Sequence, residues 1–333
     1  MLQLHNQSAF VPFLNVLPDP DGVDTLHVVA RGTFTLAPRV EVAPVQLPAL
    51  REDQYWGDPG SSSLRAGSDA HLGKPATDVV LVGHAWSGRG RVAEMLAALS
   101  VAERRKIIRV VGDRVWRERG AGATRPEPFE AMPLVYERAF GGVQRNAQGQ
   151  VVAAEERNPV GTGFAGSLAR ADLAGTKLPN LEDPRCPLER AGDRSAPACF
   201  GLVAASWLPR RAFAGTYDRA WARTRAPYLP RDFDHRFFSA ASSGLVFDRY
   251  LAGGEPIELD GVSRRGPLRL ALPTERPEVL VRLAGQTLTP PVRLETVVVE
   301  PDEDRVSLTW RARLPCDKAA LKIRVVTIAM KKG

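Results

Sequence analysis

Cysteine is scarce: Cys186, Cys199 and Cys316 are the whole complement of 333 residues. They form neither an even set nor a C-x-x-C pair, so neither a disulfide framework nor a zinc ribbon is indicated, and a reducing compartment fits best. Histidine is thin as well, with His5, His27, His71, His84 and His235 dispersed along the chain. No H-E-x-x-H pair and no G-x-S-x-G elbow occurs, which removes the commonest hydrolase signatures. Long apolar runs are missing. The longest stretch free of Asp, Glu, Lys and Arg is Met1–Pro18, which lacks a basic start and is broken by Gln3, Asn6, Gln7, Ser8, Pro12 and Asn15. It reads as neither a signal peptide nor a membrane span, which would need about 20 mostly apolar residues, so the expectation is a cytoplasmic protein with no membrane partner. Lysine is rare too. Seven of the 45 basic residues are Lys, and the rest is Arg scattered singly and in pairs such as Arg104–Arg105, Arg210–Arg211 and Arg264–Arg265. The net charge of +7 therefore lacks the basic, aromatic-interleaved block of a nucleic-acid footprint, and no nucleic acid is expected as a partner.

What is abundant is glycine, 29 residues, and proline, 27, together well above the usual share of roughly 12%. Hydrophobic content of 44% and charged content of 25% are those of a globular chain, so the excess marks turns and ordered loops rather than disorder. Residues 9–45 predict a β-hairpin: Ala9–Leu17, a turn over Pro18-Asp19-Pro20-Asp21-Gly22, then Asp24–Leu36 alternating with period two. Leu26, Val28, Ala30, Phe34 and Leu36 share one face of that strand; His27, Arg31, Thr33 and Thr35 share the other. The C-terminal part repeats the device with Val292–Val299, the turn Pro301-Asp302-Glu303-Asp304, and a return strand bearing Val306, Leu308, Trp310 and Leu314 on one face. A last strand spans Leu321–Met330. Between these ends Pro179–Pro230 predicts long loops, because proline inside a helix or central strand removes a hydrogen bond. Tyr217–Arg225 is a short helix there, with Thr216 as its expected N-cap.

The fold class expected is mainly β: sandwich-like antiparallel sheets from the N- and C-terminal parts, a Pro/Gly-rich loop-dominated middle, and one or two short helices. The division is 1–135, 136–245 and 246–333, in one continuous domain or several. Val92–Leu99 is ambiguous, since its residues are strong helix formers while Met95, Ala97, Leu99 and Val101 also alternate.

Two motifs invite enzymatic readings. Strand Val79–Val82, Gly88-x-Gly90-x-x-Ala93, a possible helix and strand Ile107–Val111 imitate the βαβ dinucleotide fingerprint of an NAD(P)-dependent oxidoreductase. The spacing is off: His84-Ala85-Trp86-Ser87 separates strand from glycine, and Gly112 separates the second strand from Asp113. The stretch Gly67–Pro75 resembles a P-loop, with one residue too many between the glycines and Pro75 at the Ser/Thr position. Carboxylates cluster at Glu182/Asp183 and at Asp232/Asp234 beside His235, a pattern that suits metal ligation or acid–base work but more commonly serves Asx-turns and caps in Pro-rich loops. No catalytic residue, metal or cofactor is expected.

Read in order, Gly32-Thr33-Phe34, Lys74-Pro75-x-Thr77-Asp78, Gly112-Asp113-Arg114-x-Trp116, Met132-Pro133-Leu134-x-Tyr136-Glu137-Arg138-Ala139-Phe140-Gly141-Gly142, Asn158-Pro159-Val160-Gly161-x-Gly163-Phe164, Leu178-Pro179-Asn180-Leu181-Glu182-Asp183-Pro184, Gly215-Thr216-Tyr217-Asp218-x-x-Trp221 and Asp232-Phe233-Asp234-x-Arg236-Phe237-Phe238 form one series. It resembles that of a bacterial type VI secretion accessory family long catalogued only as a domain of unknown function. The resemblance runs from about Ala9 to Leu314; Cys199 stands where the family usually has Gly, and Ser239, Ser242 and Ser243 replace its usual Asn-Ala-x-Pro. It implies a non-enzymatic adaptor or chaperone that holds a secreted effector with a PAAR-like domain and helps load it onto the VgrG spike. It also tips Val92–Val111 towards a hairpin turning near Glu103-Arg104. A structural or carbohydrate-binding β-module is the further alternative. Partner-facing residues are expected at Tyr136, Arg138, Phe140 and Arg236, since Tyr and Arg supply contact area and forked hydrogen bonding. Asn158, Asn180, Glu182, Asp183, Tyr217, Asp218, Asp232 and Asp234 are expected to satisfy the backbone of the loops. Open edges of the terminal sheets offer a second route to a partner, by strand addition.

Overall fold

The computed structural model describes residues 2–331 apart from 37–38, 89, 119–121, 168–172 and 191. The chain begins with β1 (Gln3–Gln7), β2 (Val11–Pro18) and β3 (Asp24–Thr35), and after a long loop adds β4 (Asp78–Leu81). Next come β5 (Glu94–Val101) and β6 (Arg104–Val111), then, beyond the loops, β7 (Leu181–Glu182) and the helix α1 (Arg219–Thr224). The later strands are β8 (Pro256–Asp260), β9 (Leu268–Ala271), β10 (Pro277–Leu283), β11 (Gln286–Leu288), β12 (Val292–Glu300), β13 (Arg305–Pro315) and β14 (Ile323–Met330).

These strands build three sheets, in the orders β2-β3-β13-β12-β4, β7-β6-β5-β8-β9 and β1-β14-β10-β11. The chain is mainly β, as its alternating runs require. Both hairpins form: β2 pairs antiparallel with β3 from Val11↔Arg31 to Pro18↔Asp24, and β12 with β13. β13 also lies antiparallel along β3, with Leu308 opposite Gly32 and Trp310 opposite Ala30, so the two ends of the chain share one sheet. Gly32 makes room there. Phe10 stacks on Trp310 with ring centres 4.9 Å apart, and a Cβ on residue 32 would stand 2.7 Å from the Phe10 ring.

Leu26, Val28, Ala30 and Phe34 of β3 pack with Val306, Leu308 and Trp310 of β13 in one buried cluster. Ala97, Leu99 and Val101 of β5, Ile108 and Val110 of β6, Val279 and Val281 of β10, and Val326 and Ile328 of β14 belong to the same cluster. Each fully buried Leu, Ile, Val or Phe contributes about 1.5–3 kcal/mol, so this cluster is what holds the three sheets together.

Val92–Val111 settles as strands. The helix that propensity favours for Val92–Leu99 does not form, because β5 is flanked by β6 on one side and β8 on the other and its Ala97, Leu99 and Val101 are buried. The turn falls at Ala102-Glu103, with Ala102 in the left-handed region at φ 50°. The βαβ reading is corrected by the same finding, since the stretch it takes as helix is the strand β5, and its two strands, β4 and β6, lie in different sheets. Gly112, just past β6, meets the Glu127 carbonyl so closely that a Cβ would lie 1.8 Å from its oxygen. The helix near 217 is shorter than expected and its cap is different: Asp218, not Thr216, accepts the Trp221 N–H at 2.8 Å. Among the described residues no helix is long and apolar enough to cross a membrane.

Candidate functional site

A strand in a two-layer protein usually turns its polar face to water. In β3 and β13 that face is buried instead: His27, Arg31 and Thr33 on the first, Ser307, Thr309 and Arg311 on the second. The stretch from Leu47 to Lys74, together with parts of 202–210 and 237–240, covers it and leaves a cleft of about 510 Å³. Buried charges need partners, and most here have them. Lys74 Nζ donates to Asp78 Oδ2 and Thr296 Oγ1, both at 2.8 Å, while Asp78 Oδ2 also accepts the Ala240 N–H at 2.6 Å. Arg311 donates through Nε to Glu295 Oε2 at 2.7 Å and through Nη2 to the Asp69 carbonyl at 2.7 Å. Arg31 lies 3.6 Å from Asp69, whose other bond takes the Leu50 N–H at 2.8 Å.

The histidines of this layer are neutral. Burial, reinforced by the Arg311 and Arg313 charges, lowers His27 to about 3. Burial also holds His71 well below its ordinary value, with Arg311 and Lys74 adding to the effect. The His71 ring lies flat on Phe238 at 5.0 Å and accepts the Gly73 N–H at Nδ1. Arg210 closes the cleft. It donates from Nε to the Phe237 carbonyl at 2.9 Å and from Nη1 to the Val203 carbonyl at 2.6 Å, and its guanidinium lies over the Phe237 ring. Among the described residues no carboxylate ion-pairs with it, and its charge is held in a desolvated position. This arrangement suits binding of a charged group. Among the described residues no three His, Cys, Asp or Glu side chains come together as a metal site. Burial pushes the Cys199 thiol up to about 11, which keeps it a thiol at neutral pH.

The residues singled out in the sequence lie elsewhere, in two groups. In the first, Tyr136 and Phe140 correct the expectation of a partner surface: both are core side chains, Tyr136 edge-on to Trp207 at 5.5 Å and Phe140 in a small cluster with Trp116, Leu178 and Leu188. Asn158, fully buried, donates from Nδ2 to the carbonyls of Tyr136 at 2.8 Å and Phe140 at 3.0 Å. Asn180 donates to the Val111 carbonyl and to Asp113, and Arg138, half-buried, donates to Asn180 Oδ1 at 2.9 Å. Glu182 is buried between Arg114 and Arg109, and Asp183 accepts the Arg185 N–H at 2.9 Å while pairing with the exposed Arg185 guanidinium.

In the second group, around α1, Asp232 accepts the Thr216 N–H at 3.0 Å and its hydroxyl at 2.7 Å, the bond that takes Thr216 away from the helix. Asp234 accepts the Arg236 N–H at 2.8 Å, and Arg236 lies over the Phe213 ring. Asp218 caps the helix. Tyr217 is exposed and packs edge-on against Trp221, which corrects its expected role as a loop ligand.

The cleft residues Arg31, Asp69 and Arg210 escaped sequence reasoning. The available signal was charge in mid-strand at Arg31 and Arg311, and a Lys74…Asp78 spacing that serves an ion pair rather than a phosphate.

Neither the curated proteins nor the solved structures include a match to the chain. Residues 21–311 match the family described as "Uncharacterized protein conserved in bacteria (DUF2169)", and with most of its length matched the chain belongs to that bacterial family.

Proposed function

We propose that the protein is a type VI secretion adaptor that binds a PAAR-like effector and helps load it onto the VgrG spike, without a catalytic step of its own. The motif series from Gly32 to Phe238 supports this reading, and so does the way its polar residues are spent. Asn158, Asn180, Glu182 and Asp218 ligate backbone or neighbouring arginines, which makes the middle segment a rigid frame.

The observation that carries the reading is an open strand edge. β1 is the outer strand of its sheet, paired with β14 on one side, and every one of its residues is exposed. β2, the edge of the neighbouring sheet, is blunted. Pro12 cannot donate to its partner Ala30, so the even positions point outward, and with Pro18 also lacking an N–H the free side offers donors at Leu14 and Val16. β1 carries no proline and accepts an added strand along its whole length.

Co-purification with a PAAR-like protein encoded beside the gene, followed by hydrogen exchange of free and bound forms, tests this. Protection over Gln3–Gln7 is the expected result. Protection confined to loops overturns strand addition, and failure to co-purify overturns the adaptor reading.

A further inference from the structure

The cleft over the polar face of β3 and β13 carries an inference that stands apart from the adaptor reading. Arg210 is 8% exposed, and its hydrogen bonds go to two neutral carbonyls, which leaves three of its five N–H donors unused by those bonds. Arg31, 7% exposed, also lines the cleft and has its Nε buried with no partner among the described residues. Among the described residues no carboxylate reaches ion-pair distance of Arg210, Asp53 and Asp78 acting on it from further off, so its unused donors suit an anion delivered by a ligand.

The charge of the walls fixes what kind of anion. Six basic side chains face four acidic ones across the cleft. Arg31 and Asp69 neutralise each other, as do Arg305 and Glu300, and Lys74 is answered by Asp78 behind the wall. What remains is Arg51, Arg65 and Arg210 against Glu52 and Asp53, an excess of one positive charge. A single negative charge balances it; a dianion would overshoot and meet Glu52, Asp53 and Asp69. The rest of the lining sets apolar Leu50, Leu202, Phe237 and Phe238 beside uncharged polar Gln54, Ser68, His71, Thr296 and Thr309. The volume of about 510 Å³ lies in the usual range for small-molecule sites, about 300–1,000 Å³.

We propose that this cleft is a binding site for a monocarboxylate with an apolar body, the carboxylate meeting the free donors of Arg210 with Arg31 beside it, and the body lying against Phe237, Phe238 and Leu202. The carboxylate belongs either to a free organic acid or to the C-terminus of a peptide ending in an apolar residue.

Calorimetric titration of the full chain with 3-phenylpropionate and its amide, 3-phenylpropionamide, is the direct test. The acid is expected to bind one to one and the amide at least about tenfold more weakly, the scale of one charge-assisted hydrogen bond. A tetrapeptide ending in Phe, as free acid and as C-terminal amide, separates the two sources: tighter binding of the peptide acid assigns a peptide terminus, tighter binding of phenylpropionate a free acid. R210Q is expected to lose at least about tenfold in affinity for the acid while leaving the amide unchanged. Should R210Q fail to fold, the acid-to-amide ratio on the natural chain decides alone. Equal binding of acid and amide, displacement of the acid by equimolar inorganic phosphate, or no binding of any carboxylate probe at millimolar concentration each overturns the proposal.

Discussion

Acid should unfold this protein through His27. The side chain sits in β3, 1% exposed, and among the described residues neither ring nitrogen has a hydrogen-bond partner. Burial and the nearby Arg311 and Arg313 charges lower it from 6.5 to about 3. Between those values the unfolded chain takes up a proton that the native chain refuses, so stability is complete above pH 6.5 and falls as the pH drops towards 3. Each pH unit of that gap is worth about 1.4 kcal/mol, which sets a ceiling of about 5 kcal/mol for this residue, with about 2 kcal/mol already lost at pH 5. Urea denaturation at pH 7 and pH 5, on the natural chain and on His27→Leu, reads the difference directly. The variant strands no partner group and fills most of the ring's volume, so at pH 7 it should lie within about 1.5 kcal/mol of the parent. At pH 5 the parent should have lost about 2 kcal/mol more than the variant. An identical loss in both would refute the reasoning and move the acid sensitivity to His71, whose Nδ1 must also stay unprotonated to accept the Gly73 N–H.

Glu182→Gln should destabilise by about 3–5 kcal/mol in denaturant titrations, because it leaves the largely buried Arg114 side chain without its counter-charge while Arg109 keeps Glu94. Asn158→Ala strips the donor from the Tyr136 and Phe140 carbonyls inside the core, and a loss of about 2–4 kcal/mol in the same assay is expected. Gly112→Ala should cost about 3 kcal/mol or more and lower the melting temperature sharply, since the new methyl group runs into the Glu127 carbonyl. Asp218→Ala removes the cap of a six-residue helix, worth about 1 kcal/mol locally; faster proteolysis around 219–224 with little change in melting temperature is the expected outcome.

Period-two alternation made β3 and β13 legible, the apolar stretches before the turn clusters made β2 and β12 legible, and the turn clusters placed the two hairpins. Two kinds of information were not there to read. The neighbours of a strand are set by distant chain, and β5 is strand rather than helix because β8, some 160 positions on, pairs along it from Val101 to Ala98. Likewise, alternation shows that His27 and Arg31 share a face but not that residues 47–74 fold over it. A polar face and a covered polar face have the same sequence pattern; they differ in the loop that crosses them. The motif series has the opposite difficulty. Its residues stand out by chemistry, and Asn158 or Glu182 could as well contact a partner as hold a loop until burial decides between the two.

The place of β13 between β3 and β12 bears on how the chain is made. β3 ends at Thr35, and the strand that covers its second edge begins only at Arg305. At about 5–20 residues per second that edge waits on the order of tens of seconds with β2 as its one sheet partner, and a lone two-stranded hairpin is marginal in water. Over that interval the nascent chain therefore displays the apolar face of β3, Leu26 to Phe34, to whatever is nearby. A chain halted before Arg305 has no route to the β2-β3-β13-β12-β4 sheet, so folding of that sheet waits on the synthesis of β13 rather than on the hairpin of β2 and β3.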